Sequence, residues 1–179
     1  ILSVPAEKGD PRYLTNTPGA HERSPVWSPA GKEIAYVSDA SGEYELVVAA
    51  QDGKGTPKRI KVPGSGFYDR LAWSPDGKKI ALTDNSWSLW VVDVEKGTRA
   101  KVDSDLYDTP FSNLDPAWSP DSRWVAYTLG GPTYFQTLHV YDVVDQKSYQ
   151  MTDGLSDVSD PVFDKGGKLI WFLASTDAG

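Results

Sequence analysis

The sequence predicts an all-β chain built from one repeated, four-stranded antiparallel unit. Three observations carry this reading. Val, Ile, Tyr and Trp sit in short stretches between Gly, Pro, Asp and Ser, with no long run of helical period. The phrase VWSPAGKEIAYVSD, residues 26–39, returns as AWSPDGKKIALTDN and AWSPDSRWVAYTLG. Its copies are evenly spaced: Trp27, Trp73, Trp118 and a fourth aromatic, Phe163, follow one another at 46, 45 and 45 residues. A period of that size suits the four-stranded blade of a β-propeller. A β-sandwich also has short strands and frequent turns, but it does not repeat one phrase at a constant interval.

Each unit can be justified strand by strand. The first strand ends on the repeat aromatic. The second begins seven residues later, at Ile34-Ala35, Ile80-Ala81, Val125-Ala126 and Ile170-Trp171. Between them SPAGK, SPDGK, SPDSR and DKGGK are tight turns, Pro presetting φ and Gly admitting a positive φ in three of the four. The third strand is YELVVAA, SLWVVDV and TLHVYDV, aligned on Leu46, Leu89 and Leu138 with Val48, Val91 and Val140 two residues on. The fourth, PKRIKV, RAKVDS and SYQMTDG, is shorter and more polar, as suits an outer edge.

The ends complete the pattern. ILSVPAE matches a third strand through Leu2 and Val4, and PRYLTNT a fourth through Leu14. PVFDKGG and KLIWFLAS supply a first and second. The chain 1–179 therefore reads as a single propeller domain or propeller fragment, with units at 1–20 (half), 21–65, 66–110, 111–156 and 157–179 (half). The half-units are complementary and would leave open sheet edges, so they are expected to pair, within one molecule or, the favoured expectation, by self-association. With no initial Met and no signal sequence, the chain reads as an excerpt of a longer one.

Composition narrows the function classes. A chain of 179 residues with 39% hydrophobic and 24% charged residues suits a folded domain with a sizeable core. The net charge of −7 argues against a nucleic-acid partner, which needs a basic face. No apolar run reaches the length of about 18 residues that a membrane helix needs, so no membrane partner is expected. Cysteine is absent, which fits a reducing compartment and leaves a periplasmic one open.

No catalytic constellation stands out, and no cofactor or metal is implied. His21 and His139 lie 118 residues apart, without the close ligand spacing of a metal site. There is no G-x-S-x-G elbow, and the serines near turns belong to the repeat. DSDLYD, residues 103–108, alternates Asp103 and Asp105 but lacks the Gly and closing Glu of a helical calcium loop, and reads as an acidic surface loop. GKGTPK has no helix to cradle a phosphate. Trp27, Trp73, Trp118 and Phe163 read as structural wedges between neighbouring units. Trp87, Trp90, Trp124 and Trp171 fall off that register, and partial exposure is expected of Trp90 and Trp124.

One set of residues does suggest a role. The first strand of a blade lines the central channel, and each copy carries charge three or four residues before its aromatic: Arg23; Asp69 and Arg70; Asp115; Asp160. These serve either as loop solvation and salt bridges between blades, or as a charged ring that orients a polar ligand at the channel mouth.

WSPDGKKIA, GEYELVV and DGKGTPKRI resemble the propeller repeats of the translocation protein TolB, prolyl-oligopeptidase-type enzymes and tricorn protease. The linking phrases TPGAHERSPVWSPAGKEIAYVSDASGEYEL and MTDGLSDVSDPVFDKGGKLIWFLASTDAG look most like the first, N-terminal propeller of tricorn-type serine proteases, over essentially the whole chain. That resemblance implies a non-catalytic segment that gates or guides peptides toward a protease domain elsewhere in a parent chain, with no catalytic residue matched here. It favours a cytoplasmic location and a ring of more blades than four. The alternative is a TolB-like module that docks proteins on its face. Peptide or protein partners, and the rest of a parent chain, follow from either.

Overall fold

A computed structural model describes residues 1–63, 66–105, 114–131 and 134–175. Three four-stranded antiparallel sheets follow one another along the chain, flanked by a two-stranded sheet at each end. The first pair is β1 (Leu2–Ser3) and β2 (Arg12–Tyr13). The first complete blade is β3 (Glu22–Trp27), β4 (Glu33–Ser38), β5 (Glu45–Ala50) and β6 (Lys58–Ile60). The second is β7 (Tyr68–Trp73), β8 (Lys79–Asp84), β9 (Ser88–Asp93) and β10 (Arg99–Ser104). The third is β11 (Ala117–Trp118), β12 (Trp124–Gly130), β13 (Gln136–Asp142) and β14 (Lys147–Gln150). The final pair is β15 (Val158–Phe163) and β16 (Ile170–Ala174). Strand order within each sheet is sequence order, so every connection is a hairpin.

Register repeats with the sequence. Ala35, Ala81 and Ala126 stand opposite Val48, Val91 and Val140, one pair in each complete blade. Because strand side chains alternate, each blade offers one apolar face backward and one forward. Ala35, Val37, Leu46 and Val48 face forward onto Ile80, Leu82 and Val92. Ala81, Leu89 and Val91 meet Val125, Tyr127 and Tyr141 in the same way. Ala126, Leu138 and Val140 meet Val158, Phe163 and Ile170. The core is thus a series of blade interfaces, with both ends of the series open.

The turns after the repeat aromatics hold the blades in step. Gly31, Gly77 and Gly167 adopt φ of 66°, 70° and 67°, as their sequence requires. The third copy, after Trp118, has no Gly there, and Ser122 takes φ 62° instead. Its hydroxyl accepts a hydrogen bond from the Asp76 amide at 2.9 Å, tying the turns of neighbouring blades. Carboxylates brace the same turns: Ser74 Oγ donates to Asp76 at 2.6 Å and Ser119 Oγ to Asp121 at 2.5 Å.

The alignment of the first strand is corrected by one residue. The Leu14 amide donates to the Ile1 carbonyl, setting Ile1 against Leu14 as Leu46 stands against Ile60. Ile1 and Leu14, not Leu2 and Val4, pack onto Ile34, Tyr36 and Val47. Two adjacent apolar residues gave the sequence two registers to choose from, and a one-residue slip exchanges the faces.

Candidate functional site

The first strand of each blade lies at one edge of its sheet, and β3, β7, β11 and β15 approach one another in turn. Three of them carry a bulge at the same place, between Arg23 and Val26, Asp69 and Ala72, and Ser159 and Val162. Within it Ser24, Arg70 and Asp160 take left-handed φ of 52°, 51° and 53°. Non-glycine residues rarely hold that conformation, and a bulge there re-aims a side chain. Arg23, Asp69, Arg70 and Asp160 therefore sit at an irregular, recurring piece of backbone, while Asp115 precedes β11.

Four of the five sequence candidates are brought together, in pairs across blade boundaries. Arg23 reaches Asp69 at 3.7 Å, and Ser24 Oγ donates to the same carboxylate at 2.8 Å. Burial acts to raise the Asp69 pKa. The Ser24 hydroxyl, the Arg70 amide and the Arg23 charge outweigh it and hold the carboxyl below its usual range. Arg70 Nη1 donates to both oxygens of Asp115, at 2.6 and 2.8 Å. Asp160 lies apart from these pairs and accepts from Ser159 Oγ at 2.7 Å.

The sequence reading missed an aromatic shelf beside the pairs. The Arg23 guanidinium lies 3.6 Å from the centre of the Phe67 ring. Phe67 meets Tyr44 edge-on at 5.7 Å, and the Tyr44 hydroxyl lies 2.8 Å from His21 Nδ1. A groove of about 530 Å³ opens beside them, lined by Glu43, Tyr44, Lys61, Tyr68 and Arg99 among others. The one available signal was position: His21 and Phe67 immediately precede first strands, and Tyr44 a third.

Neither histidine forms a catalytic pair among the described residues. His21 meets Tyr44, while His139 Nε2 lies 2.9 Å from Thr137 Oγ1 and its ring stacks on Tyr127. Burial lowers the His139 pKa. Burial also pushes the Tyr127 phenol far up, and its hydroxyl donates to Asp103 while accepting from the Ser148 hydroxyl. No cluster of three metal-ligating side chains occurs among the described residues. The expected acidic surface loop is corrected where it is described: Asp103 lies on β10 and Asp105 is buried, whereas residues 106–108 lie outside the described residues.

The repeat aromatics differ in setting. Trp73 and Trp118 reach back across the blade boundary, Nε1 donating to the carbonyls of Val26 and Ala72 at 3.3 and 3.0 Å. Phe163 packs against the third blade. Trp27 is 51% exposed, since the sheet before it, β1–β2, has no first strand to receive it. Trp90 and Trp124 are partly buried, and Trp87 and Trp171 are exposed.

The family model described as the tricorn protease second β-propeller domain matches residues 1–177. The chain belongs to that family. Sequence resemblance had pointed to the first propeller; the match is to the one described as second. A tricorn protease homologue of Saccharolobus solfataricus is 30% identical over 141 residues, covering 78% of this chain and 12% of the relative. Tricorn protease homolog 1 of Streptomyces coelicolor is 29% identical over 177 residues, covering 96% of this chain and 16% of the relative. The chain thus spans a small part of the curated tricorn proteins it matches. Among solved structures, the crystal structure of the tricorn protease superposes with a TM-score of 0.67 at 20% identity, over 80% of this chain and 14% of that one. TolB from Acinetobacter baumannii gives 0.63 at 19% identity, over 97% of this chain and 42% of that one. These likenesses show the same fold.

Proposed function

We propose that this tricorn-family propeller segment is a non-catalytic guide that orients peptides on their way to a protease domain outside the chain. The observation that carries the reading is the row of charged side chains at the inner-strand bulges of β3 and β7 and just before β11. Arg23–Asp69 and Arg70–Asp115 present alternating charge at one end of the inner strands, next to the Phe67–Tyr44 shelf. Side chains of both signs beside aromatic rings suit an extended peptide, which offers charge, amide groups and apolar side chains together. Belonging to a propeller family of tricorn proteases supports the role, and membership of a larger chain supplies the place for the chemistry.

A second reading, a protein-docking propeller, draws on the structural likeness to TolB over nearly the whole chain. Fluorescence anisotropy with labelled peptides of mixed charge separates the two. A guide binds short peptides weakly, and Arg70→Ala and Tyr44→Ala each weaken binding several-fold. Peptides that fail to bind wild type at any accessible concentration overturn the guide reading. The same peptides should stay uncleaved, and turnover abolished by a serine-directed inhibitor would overturn the non-catalytic part.

A further inference from the structure

A second cleft, of about 310 Å³, lies between the second and third complete blades. It opens at the turn-bearing ends of their strands, away from Arg70 and Asp115. Lys79 begins β8, Asp93 ends β9 and Arg99 begins β10, while Ser122 comes from the β11–β12 turn and Tyr141 from β13. Both blades have all four strands, so the walls of the cleft are complete within the chain.

Two buried hydroxyls on these walls hold protons that no protein acceptor takes. Tyr141 is 2% exposed and belongs to the packed interface with Val91 and Val125, yet its hydroxyl has no hydrogen-bond partner among the described residues. Burial raises its pKa, so the phenol stays protonated at neutral pH. Ser122, 7% exposed, accepts from the Asp76 amide, and its own proton meets no acceptor among the described residues. The serines of the neighbouring turns differ, since Ser74 and Ser119 donate to Asp76 and Asp121. Buried donors are normally met, and an unmet one is costly. An acceptor seated in the cleft would meet both.

Charge points the same way. Lys79, Lys96 and Arg99 line the cleft and form no ion pair among the described residues. Asp76 feels the Lys79 charge, but its carboxylate is held by the Ser74 hydroxyl and the Lys78 amide. The one lining carboxylate, Asp93, accepts from the Lys96 amide. Three cations against one carboxylate make the cleft positive, in a chain whose net charge is −7. A local reversal of sign concentrates anions there. Val91, Ala100 and Val143 add an apolar patch beside the charges.

We propose that the cleft between the second and third blades binds a phosphate group, free or carried on a small organic ester. A phosphate ester brings about two negative charges and three acceptor oxygens, enough for the cations and both spare hydroxyls. A single carboxylate brings one charge and leaves donors unmet. The volume stands at the small end of the range for small-molecule sites, roughly 300–1,000 Å³, which admits a phosphate with a short body lying on Val91 and Val143. Bound there, the ligand would bridge the blades that the Ser122–Asp76 bond already ties together. Arg99 also lines the groove beside Tyr44, so Tyr141 and Lys96, which do not, are the residues that test this cleft alone.

Inorganic phosphate and glycerol phosphate are titrated at fixed ionic strength into isotope-labelled chain, with amide resonances as the readout. The expected result is saturable shifts at Thr98 and Ser122. Tyr141→Phe, which removes only the hydroxyl, and Lys96→Gln should each weaken binding several-fold while keeping the dispersed spectrum of a folded chain. Lys32→Gln, at an exposed turn of the first blade, should leave it unchanged, and peptide binding beside Tyr44 should persist in all three. Tighter binding of glycerol phosphate assigns an ester, and equal affinity assigns free phosphate. Phosphate that never saturates, full affinity in Tyr141→Phe, or an equal loss in Lys32→Gln overturns the proposal. So does tighter binding of succinate or of a glutamate-rich peptide, which would assign the cleft to carboxylates.

Discussion

Trp118 Nε1 donates to the carbonyl of Ala72 across a blade boundary, at 3.0 Å. Trp73 makes the same bond to Val26 one blade earlier. The aromatic that marks the repeat in sequence is therefore the group that joins one repeat to the next. Its contribution depends on having a blade behind it.

That dependence gives a direct comparison. Trp73→Ala should destabilise the fold by about 3–5 kcal/mol, the usual range for a large aromatic removed from a packed site. Trp27→Ala should cost far less, because the side chain is half exposed. Urea midpoints at unchanged m measure both. Equal losses would mean that Trp27 has a packing partner of its own.

The charged pairs should separate by burial. Arg70 and Asp115 are both substantially exposed, so a double-mutant cycle should give a coupling of about 0.2–1 kcal/mol. Asp142, 1% exposed, accepts from Arg123 and from the amides of Val144 and Asp145. Asp142→Ala strips those donors of their partner and should cost about 1–3 kcal/mol. A larger loss at Arg70 than at Asp142 would make the mouth pair structural.

Acid should weaken the fold through specific carboxyls. The Arg123 hydrogen bond holds Asp142 below the usual carboxylate range, and the Ser119 hydroxyl does the same for Asp121. The Leu169 amide, with those of Lys168 and Gly166, lowers Asp164. Depressed folded values mean that this stability is present above the unfolded carboxylate pKa, about 4, and is lost as pH falls through the lower folded values. Urea midpoints should therefore hold steady from neutrality to about pH 5 and drop below about pH 4. Asp142→Asn should make that drop shallower, and an unchanged slope would contradict the assignment.

Ser122 tests what a left-handed turn position costs. Both Ser122→Ala and Ser122→Gly lose the hydroxyl that accepts from the Asp76 amide. Only Ala keeps a side chain at φ 62°. The Gly variant should therefore be the more stable of the two by about 1–2 kcal/mol in chemical denaturation. Equal stabilities would mean that the turn relaxes to another conformation.

The repeat made much of this architecture legible. The spacing of Trp27, Trp73, Trp118 and Phe163 placed every first strand, and the alternation at Leu46-Val48 and its equivalents placed the third strands and their faces. Such signals are local: a period of two and a Pro-Gly turn act over a few residues and survive without tertiary context. Charge before each aromatic was visible as well, and four of those side chains proved to be partners of one another.

What the sequence could not carry was anything decided between blades. Ile1 and Leu2 are both apolar, so only the packing surface of Ile34, Tyr36 and Val47 chose which one faces inward. Trp27 reads like Trp73 in sequence, yet one is half exposed and the other packed, because the difference lies in the neighbour and not in the residue. The left-handed backbone at Ser24, Arg70 and Asp160, and the shelf of Tyr44 and Phe67, arise where strands distant in sequence converge. The sequence by itself determined the strands, their order and the repeat unit, since these follow from local pattern. Tertiary structure alone decided which register the first strand takes, which charges pair and which repeat aromatic is packed, since those are energies of contact between units.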